Sequence, residues 1–201
     1  MYVARGYAMY LAIEGIDTAG KSTQIERLRE VFPDALITKE PGGTAAGTEI
    51  RNMVLHGNLK SKTAELLLFL ADRAEHTEAI ILPNMNRLII SDRSAVSGMA
   101  YASVQNLCDE ATLVTLNRLA TNGYLPDRVF ILKLTPEELS LRLSQKEHDV
   151  IESRGIDYLL SIQDALIAAA YALGIQTHVI DATQPIDTIT NEIADLIKGA
   201  L

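Results

Sequence analysis

The chain has 201 residues and a formal net charge of -8 at pH 7, a length that fits one domain of ordinary size. The acidic balance argues against nucleic-acid or anionic-membrane binding, because both require clustered Lys and Arg. The single cysteine, Cys108, excludes an intrachain disulfide framework and a cysteine-rich metal site, as suits a reducing cytosol.

Short β-type runs alternate with helical segments along the chain. The pattern predicts strands at 10–14, 35–38, 87–91, 128–134 and 177–181, and helices at 21–31, 43–55, 63–82, 109–121, 136–144, 157–173 and 185–198. Such alternation is typical of parallel strands joined by crossover helices. We therefore expect an α/β fold with three layers, in which a five-stranded parallel sheet has helices on both faces.

Residues 1–8 precede the first predicted strand, and Met9 would be a natural start directly ahead of it. We interpret 1–8 as an N-terminal extension or an alternative start, and 9–201 as a single domain. The longest apolar stretch, 165–175, is much shorter than the roughly 20 residues of a membrane helix. The sequence therefore predicts a soluble, cytoplasmic protein without a membrane or nucleic-acid partner.

A complete phosphate-binding loop follows the first strand. Residues 15–22 read Gly-Ile-Asp-Thr-Ala-Gly-Lys-Ser, the G-x-x-x-x-G-K-S pattern, and an amphipathic helix follows. In such a loop the backbone N–H groups turn inward onto phosphates, while Lys21 reaches the β and γ oxygens and Ser22 reaches Mg²⁺. The predicted ATP-binding residues of this segment are Gly15, Ile16, Asp17, Thr18, Ala19, Gly20, Lys21, Ser22 and Thr23. The loop predicts a nucleoside triphosphate site.

Two further polar segments follow strands and would meet the loop at the carboxyl edge of the sheet. Pro41-Gly42-Gly43 follows the second strand; it is either a simple chain reversal or a turn that lets a ligand approach, with Arg51 on the next helix. Asp92 and Arg93 follow the third strand. They form either a structural salt bridge or a pair in which Asp92 serves Mg²⁺ and Arg93 grips a phosphate.

Phe69 and Arg73 are four residues apart on the long predicted helix, so they share one face. A planar base could stack on the ring beside the guanidinium. The alternative is that the apolar run 66–70 forms core or dimer contacts.

Taken together, these segments resemble the thymidylate kinase family. The resemblance is carried by 15–23, by Glu40-Pro41-Gly42-Gly43-Thr44, by 66–76 and by Asp92-Arg93-Ser94 with Ser97 and Tyr101. It implies a P-loop NTPase fold, transfer of the γ-phosphoryl group of ATP to dTMP in dTTP synthesis, an Mg²⁺ cofactor held by Ser22 and Asp92, a cis bond before Pro41, and a homodimer through helix 63–82.

The resemblance also implies the residues that bind dTMP. Asp17 would hold the sugar 3′-hydroxyl, Phe69 would stack on thymine, Arg73 would contact the base and Arg93 the acceptor phosphate. Tyr101 would favour deoxyribose and Ser97 would line the base pocket; Pro41 and Arg51 complete the set. On the ATP side, Arg142 would stack on adenine and Thr183 would flank it.

Some positions depart from the family pattern. The phosphate loop has no arginine, and the predicted lid at about 144–154 has only Lys146 and Arg154 as cations. We expect one of these two to close over the transferring phosphate and to act in catalysis with Lys21, Arg93 and Asp17. Lys39, Ser94, Gly98 and Ala102 also differ from common family residues, which leaves the nucleobase preference open.

Other readings remain at this stage. A different small P-loop kinase would keep Lys21 and Ser22 but would not need the Glu-Pro-Gly-Gly-Thr turn. A nucleotide-gated binding protein or an inactive kinase-like protein would not need catalytic residues. Guanine-reading switch proteins use an Asn/Thr-Lys-x-Asp element, whereas the nearest segment here, 38–41, ends in proline.

Overall fold

The computed structural model of the protein describes residues 9–145 and 155–201. The elements in chain order are β1 (Met9–Gly15), α1 (Lys21–Val31), β2 (Leu36–Lys39), α2 (Ala45–His56), α3 (Lys62–His76), β3 (Leu88–Asp92), α4 (Ala95–Val104), α5 (Glu110–Ala120), β4 (Arg128–Lys133), α6 (Pro136–Ser144), α7 (Ile156–Leu173), β5 (Gln176–Asp181) and α8 (Ile186–Lys198). The predicted extension 1–8 and most of the predicted lid lie outside the described residues.

The five strands form one parallel sheet in the order β2-β3-β1-β4-β5. This confirms the predicted five-stranded parallel sheet. The central strand β1 is buried from Tyr10 onward, and it reads as a nearly continuous apolar run because helices cover both of its faces. Its register sets Ile13 beside Asp92 of β3 and beside Phe130 of β4. The segments after β1, β2 and β3 therefore meet at one edge.

Two groups of helices enclose the sheet. Helices α1 and α8 pack against each other, with α1 on β1 and β3 and α8 on β5; α4 and α7 form a second group that contacts β1, β4 and β5. Helices α3 and α5 pack against α4, outside the sheet itself. The arrangement confirms the predicted three layers.

Local sequence explains where several helices begin. Thr44, Ser61, Asp109 and Thr135 each cap a helix by accepting a hydrogen bond from a backbone N–H in its first turn. In α6 the cap is followed by Pro136, whose fixed φ suits the first helical position. The prediction of 136–144 as a helix was therefore exact in both bounds.

The predicted helix 63–82 was wrong in one respect. The α-helix ends at His76; a π-helical turn covers Thr77–Ile81 and a 3₁₀ turn covers Leu82–Asn84. Pro83 explains the change, because it has no N–H to donate and its ring would clash with the carbonyl four residues earlier. The wider turn lets Leu82 N–H bond to Thr77 O instead.

Helix α4 was missed in the sequence. Six of its ten residues are buried, so it shows no polar face and no 3.6-residue period. Gly98 and the two valines also lower its intrinsic helix propensity.

Within the described residues, α7 is long and apolar enough to cross a membrane by composition alone. It is instead a core helix, because Leu159, Ile162, Leu166 and Ala170 are fully buried against the rest of the protein.

Candidate functional site

The phosphate-binding loop lies between β1 and α1, as predicted. Its tight curve depends on positive φ at Gly15 (152°), Thr18 (71°) and Gly20 (95°). A Cβ on Gly15 would lie 3.1 Å from the carbonyl oxygen of Leu132 in β4, and a side chain at this φ would be strained, so the position favours glycine. Gly20 is the N-cap of α1 and provides no side-chain cap, so the first N–H groups of the helix are available to an anion such as a phosphate.

Lys21 places a cation inside this loop. Its ammonium group donates hydrogen bonds to the carbonyl oxygens of Gly15 and Ile16, both at 3.0 Å, and lies 3.9 Å from Asp17 Oδ1. Burial, followed by the charge of Arg93, lowers the pKa of Lys21 to about 8, although nearby carboxylates oppose this. The Lys21 ammonium group in the loop therefore loses its proton more readily than an ordinary lysine does.

Arg93 connects the ends of β1 and β3. Its Nη2 donates to Asp17 Oδ1 at 2.8 Å, and its Nη1 donates to Gly15 O at 3.3 Å and to Ser97 Oγ at 3.0 Å. The guanidinium also lies over the ring of Tyr101, 6.0 Å from its centroid. Arg93 therefore pairs with the phosphate loop, and the expected alternative of a salt bridge to its neighbour in sequence does not occur among the described residues.

Asp92 and Ser22 are the predicted Mg²⁺ ligands. Asp92 Oδ1 is buried and has no hydrogen-bond partner among the described residues, while Ser22 is an exposed residue in the first turn of α1. No cluster of three or more His, Cys, Asp or Glu side chains that could hold a metal occurs in residues 9–145 and 155–201. One unpaired carboxylate oxygen and one hydroxyl suit Mg²⁺, which takes most of its ligands from phosphates and water in kinase sites.

Arg73 lies in a buried network beneath the turn that follows β2. Its Nε donates to Glu40 Oε2 at 2.9 Å, its Nη1 to Asn117 Oδ1 at 2.9 Å and its Nη2 to Ser94 O at 3.2 Å. The other oxygen of Glu40 lies 2.9 Å from His76 Nδ1. Arg73 is 3% exposed, so its position depends on these partners.

The Pro41-Gly42-Gly43 turn packs tightly onto that network. The Glu40–Pro41 peptide bond is cis, in agreement with the family resemblance. Gly42 N–H donates to Asp72 Oδ1 at 2.9 Å, and Arg51 Nη1 donates to Pro41 O at 3.2 Å. A Cβ on Gly43 would lie 2.7 Å from the His76 ring. The turn is therefore held by contacts with Asp72, Arg51 and His76, and its role as more than a chain reversal stays a prediction.

Phe69 is half-buried on α3, one turn before Arg73, and Tyr101 is half-buried on α4 beside Arg93. The structure thus groups the predicted acceptor-site residues around the ends of β1, β2 and β3, with α3 and α4 supplying the aromatic rings.

A cavity of about 260 Å³ lies on the other side of the phosphate loop. Its lining comprises Thr18, Ala19, Gly20, Thr23, Gln24, Arg142, Ala182, Gln184, Ile186 and Ile189. Arg142 spans it: Nη1 donates to Thr18 O at 3.1 Å, and Nη2 donates to Ala182 O at 2.7 Å. Arg142 therefore lies beside the phosphate loop, and its contact with adenine stays a prediction.

Thr183, predicted to flank adenine, is bonded to Asp181 and is not itself part of the cavity lining. Its N–H and hydroxyl both bond to Asp181 Oδ1, and its neighbours Ala182 and Gln184 line the cavity. Lys146 and Arg154, the predicted lid cations, lie outside the described residues.

Glu14, Glu40 and His76 had no predicted role. All three are buried and contact or support a predicted site arginine. Glu14 could have been recognised from the sequence, because a carboxylate within a buried apolar strand requires a hydrogen-bond partner.

Comparisons with known proteins agree with this geometry. The sequence profile of the family described as thymidylate kinase matches residues 13–193. Thymidylate kinase of Sulfurimonas denitrificans is 63% identical over 190 residues, which cover 94% of this chain and 100% of that protein. Thymidylate kinase of Helicobacter pylori is 45% identical over 199 residues, covering 96% and 100%.

A solved structure agrees as well. The crystal structure of thymidylate kinase from Ehrlichia chaffeensis superimposes with a TM-score of 0.73 at 27% identity, covering 95% of this chain and 98% of that one. The P-loop NTPase fold expected from the resemblance is thereby confirmed. The chain belongs to the thymidylate kinase family.

Proposed function

We propose that the protein is a dTMP kinase that transfers the γ-phosphoryl group of ATP to dTMP, giving dTDP and ADP in the cytoplasm. Membership of the family supports the reaction class. The observation that carries the proposal is the contact between Arg93 and Asp17, because it joins a phosphate-binding loop to a second strand end rich in acceptor-site residues. Donor and acceptor would therefore meet at the loop itself.

On the donor side, the amides of residues 15–23 and the Lys21 ammonium would hold the phosphates of ATP. Arg142 and the loop with Thr183 would flank the adenine, in the cavity that Arg142 spans. Mg²⁺, when bound by Ser22 and Asp92, would neutralise phosphate charge and orient the oxygens. Phosphoryl transfer needs positioning and charge neutralisation more than a protein nucleophile, which suits this set of residues.

On the acceptor side, Arg93 would bind the phosphate of dTMP, with Asp17 at the sugar 3′-hydroxyl and Tyr101 beside the deoxyribose. Phe69 would stack on thymine, and Arg73 would contact the base. Pro41, Arg51 and Ser97 would complete the dTMP pocket. The buried network around Arg73 supports this proposal, because it fixes the guanidinium before any ligand arrives.

A coupled assay of ADP release with Mg-ATP and a panel of nucleoside monophosphates tests the reaction. We expect the highest kcat/KM with dTMP. Release with none of the monophosphates would overturn the proposal, and a preference for a ribonucleotide would assign the chain a different acceptor.

The lid cations form a separate part of the proposal. Because the loop contains no arginine, Lys146 or Arg154 would supply the charge over the transferring phosphate. Single alanine substitutions at both positions should show at least one large fall in kcat; unchanged turnover in both would refute the assignment.

We also propose a homodimer through α3 and the segment after it. Leu67 on α3 is 55% exposed, and Met53 and Leu55 are exposed on α2, which packs against α3. Leu67→Glu should shift the protein to a monomer in sedimentation equilibrium. Leu119→Glu, which alters an even more exposed leucine on α5, is the matched control and should leave the mass unchanged. Equal behaviour of the two variants would contradict this interface.

A further inference from the structure

Glu14 is a fully buried carboxylate one residue before the phosphate loop. Its Oε1 accepts a hydrogen bond from Ser94 Oγ at 2.7 Å, and its Oε2 accepts one from Ser97 Oγ at 2.5 Å. Burial raises the pKa of Glu14, although Ser97 and Arg93 act against that shift. Burial of a carboxylate costs free energy unless hydrogen bonds compensate for it. The two bonds to Glu14 therefore favour one position for each serine hydroxyl.

Ser97 links this acid to Arg93. A serine hydroxyl has one proton to donate, and here that proton goes to Glu14. The same oxygen accepts from Arg93 Nη1 at 3.0 Å. Because this proton is already used, the buried Ser97 hydroxyl has no donor left for a nucleobase carbonyl. Its two contacts, with Glu14 and Arg93, favour a role in holding the arginine.

Arg93 needs this support because its backbone is in the left-handed region, at φ 70°, which a non-glycine residue rarely adopts. Its N–H donates to Ile13 O at 3.0 Å, which anchors the main chain to β1. Among the described residues, partners occupy three of the five guanidinium N–H donors. The Tyr101 hydroxyl also lies beside the guanidinium, so up to two donors remain, enough for the bidentate grip that a phosphate favours.

We propose that Glu14 and Ser97 are positioning residues that hold Arg93 in the orientation required by the acceptor phosphate, and that Ser97 does not read the nucleobase. The inference rests on the proposed role of Arg93 as the phosphate ligand of dTMP. In this inference the hydrogen-bonded series Glu14–Ser97–Arg93 orients the guanidinium, so that its remaining N–H donors can bind the phosphate.

Ser94 provides a control, because it also donates to Glu14 and is fully buried but does not contact Arg93 through its side chain. Its hydroxyl also caps α4 by accepting from Val96 N–H, so its loss has a structural cost of its own. Ser97→Ala should raise KM for dTMP about tenfold, the loss expected for one charge-assisted hydrogen bond, and should leave KM for ATP within about twofold. Ser94→Ala should lower the melting temperature about as much as Ser97→Ala does, but it should leave KM for dTMP within about twofold. Ser97→Thr, which keeps the hydroxyl, should restore most of the affinity.

A comparison of dTMP with dUMP separates phosphate from base effects. We expect Ser97→Ala to raise KM by the same factor for both nucleotides. A factor that differs several-fold between them would mean that Ser97 reads the base, and equal KM effects in the Ser94 and Ser97 variants would mean a purely structural role; either result overturns the proposal.

Glu14→Gln keeps the shape of the side chain and serves if Ser97→Ala does not fold; it should also raise KM for both nucleotides, and an unchanged KM would overturn the proposal. Arg93→Ala tests the premise. If it leaves KM for dTMP unchanged, the phosphate role of Arg93 is wrong and the inference falls with it. If it raises KM strongly while Ser97→Ala has no effect, only the positioning role is wrong.

Discussion

Replacement of Glu40 by glutamine tests the network that holds Arg73. The carboxylate bonds to Arg73 Nε and lies against His76 Nδ1, each at 2.9 Å, and Arg73 has almost no access to water. Glutamine has nearly the same shape but no charge, so the change leaves a buried guanidinium without its counter-charge.

The expected cost follows from that burial. Removal of one partner of a buried ion pair destabilises a protein by about 3–5 kcal/mol. The amide oxygen of glutamine can still accept one hydrogen bond, worth about 1 kcal/mol. We therefore expect Glu40→Gln to lower the free energy of unfolding by about 2–4 kcal/mol at pH 7. KM for dTMP should rise as well, because the base-side arginine loses its anchor.

The pH dependence provides a second measure. Burial alone would raise the pKa of Glu40, but Arg73 and His76 outweigh it and hold the pKa below its usual value of 4.5. The stabilisation from this carboxylate is thus present above pH 4.5 and is lost as the pH falls through the lowered pKa. The difference between the native protein and Glu40→Gln should therefore shrink as the solution is acidified below that value.

Urea unfolding monitored by circular dichroism, at several values of pH, measures both effects. Glu49→Gln, at an exposed position on α2, is the control and should stay within about 0.5 kcal/mol of the native protein. If Glu40→Gln is as stable as this control at pH 7, the charge of Glu40 does not stabilise the buried guanidinium of Arg73.

Three further predictions concern the two substrate sites. Since the pKa of Lys21 is about 8, kcat/KM for ATP should fall above that pH toward a tenfold loss per unit, and a flat profile to high pH would contradict a role for its charge. Arg142→Ala removes hydrogen bonds to Thr18 O and Ala182 O, so KM for ATP should rise about tenfold or more with KM for dTMP unchanged in steady-state kinetics; an equal rise for both substrates would argue against an adenine site. Gly98→Ala would set a Cβ 2.8 Å from Arg73 Nη2, so KM for dTMP should rise about tenfold, whereas Gly199→Ala, whose nearest contact is 3.3 Å, should change no kinetic constant.

The parts of the fold that can be predicted well are those determined by residues close together in sequence. The phosphate loop, the apolar strand before it and the capped helix α6 each depend on neighbours in sequence. Helix α4 escaped prediction because its burial on nearly all sides removes the periodicity that marks a helix.

The site follows the same division. Arg73, Arg93 and Glu40 are visible in the sequence as members of motifs, but the pairing is not. No pattern shows that Arg73 binds Glu40, 33 residues away, or that Ser97 binds Glu14, 83 residues away. Only the sheet order brings these pairs together, and no local pattern encodes which buried acid supports which arginine.

The central place of β1 has a consequence for synthesis of the chain. Both of its neighbours, β3 and β4, come later in sequence, and β4 ends at Lys133. A nascent chain emerges from the ribosome N-terminus first, so the strand that carries the phosphate loop waits for about two thirds of the protein before its hydrogen bonds are complete. The phosphate loop is therefore made early, but the strand that carries it is paired on both sides only after β4 has been made.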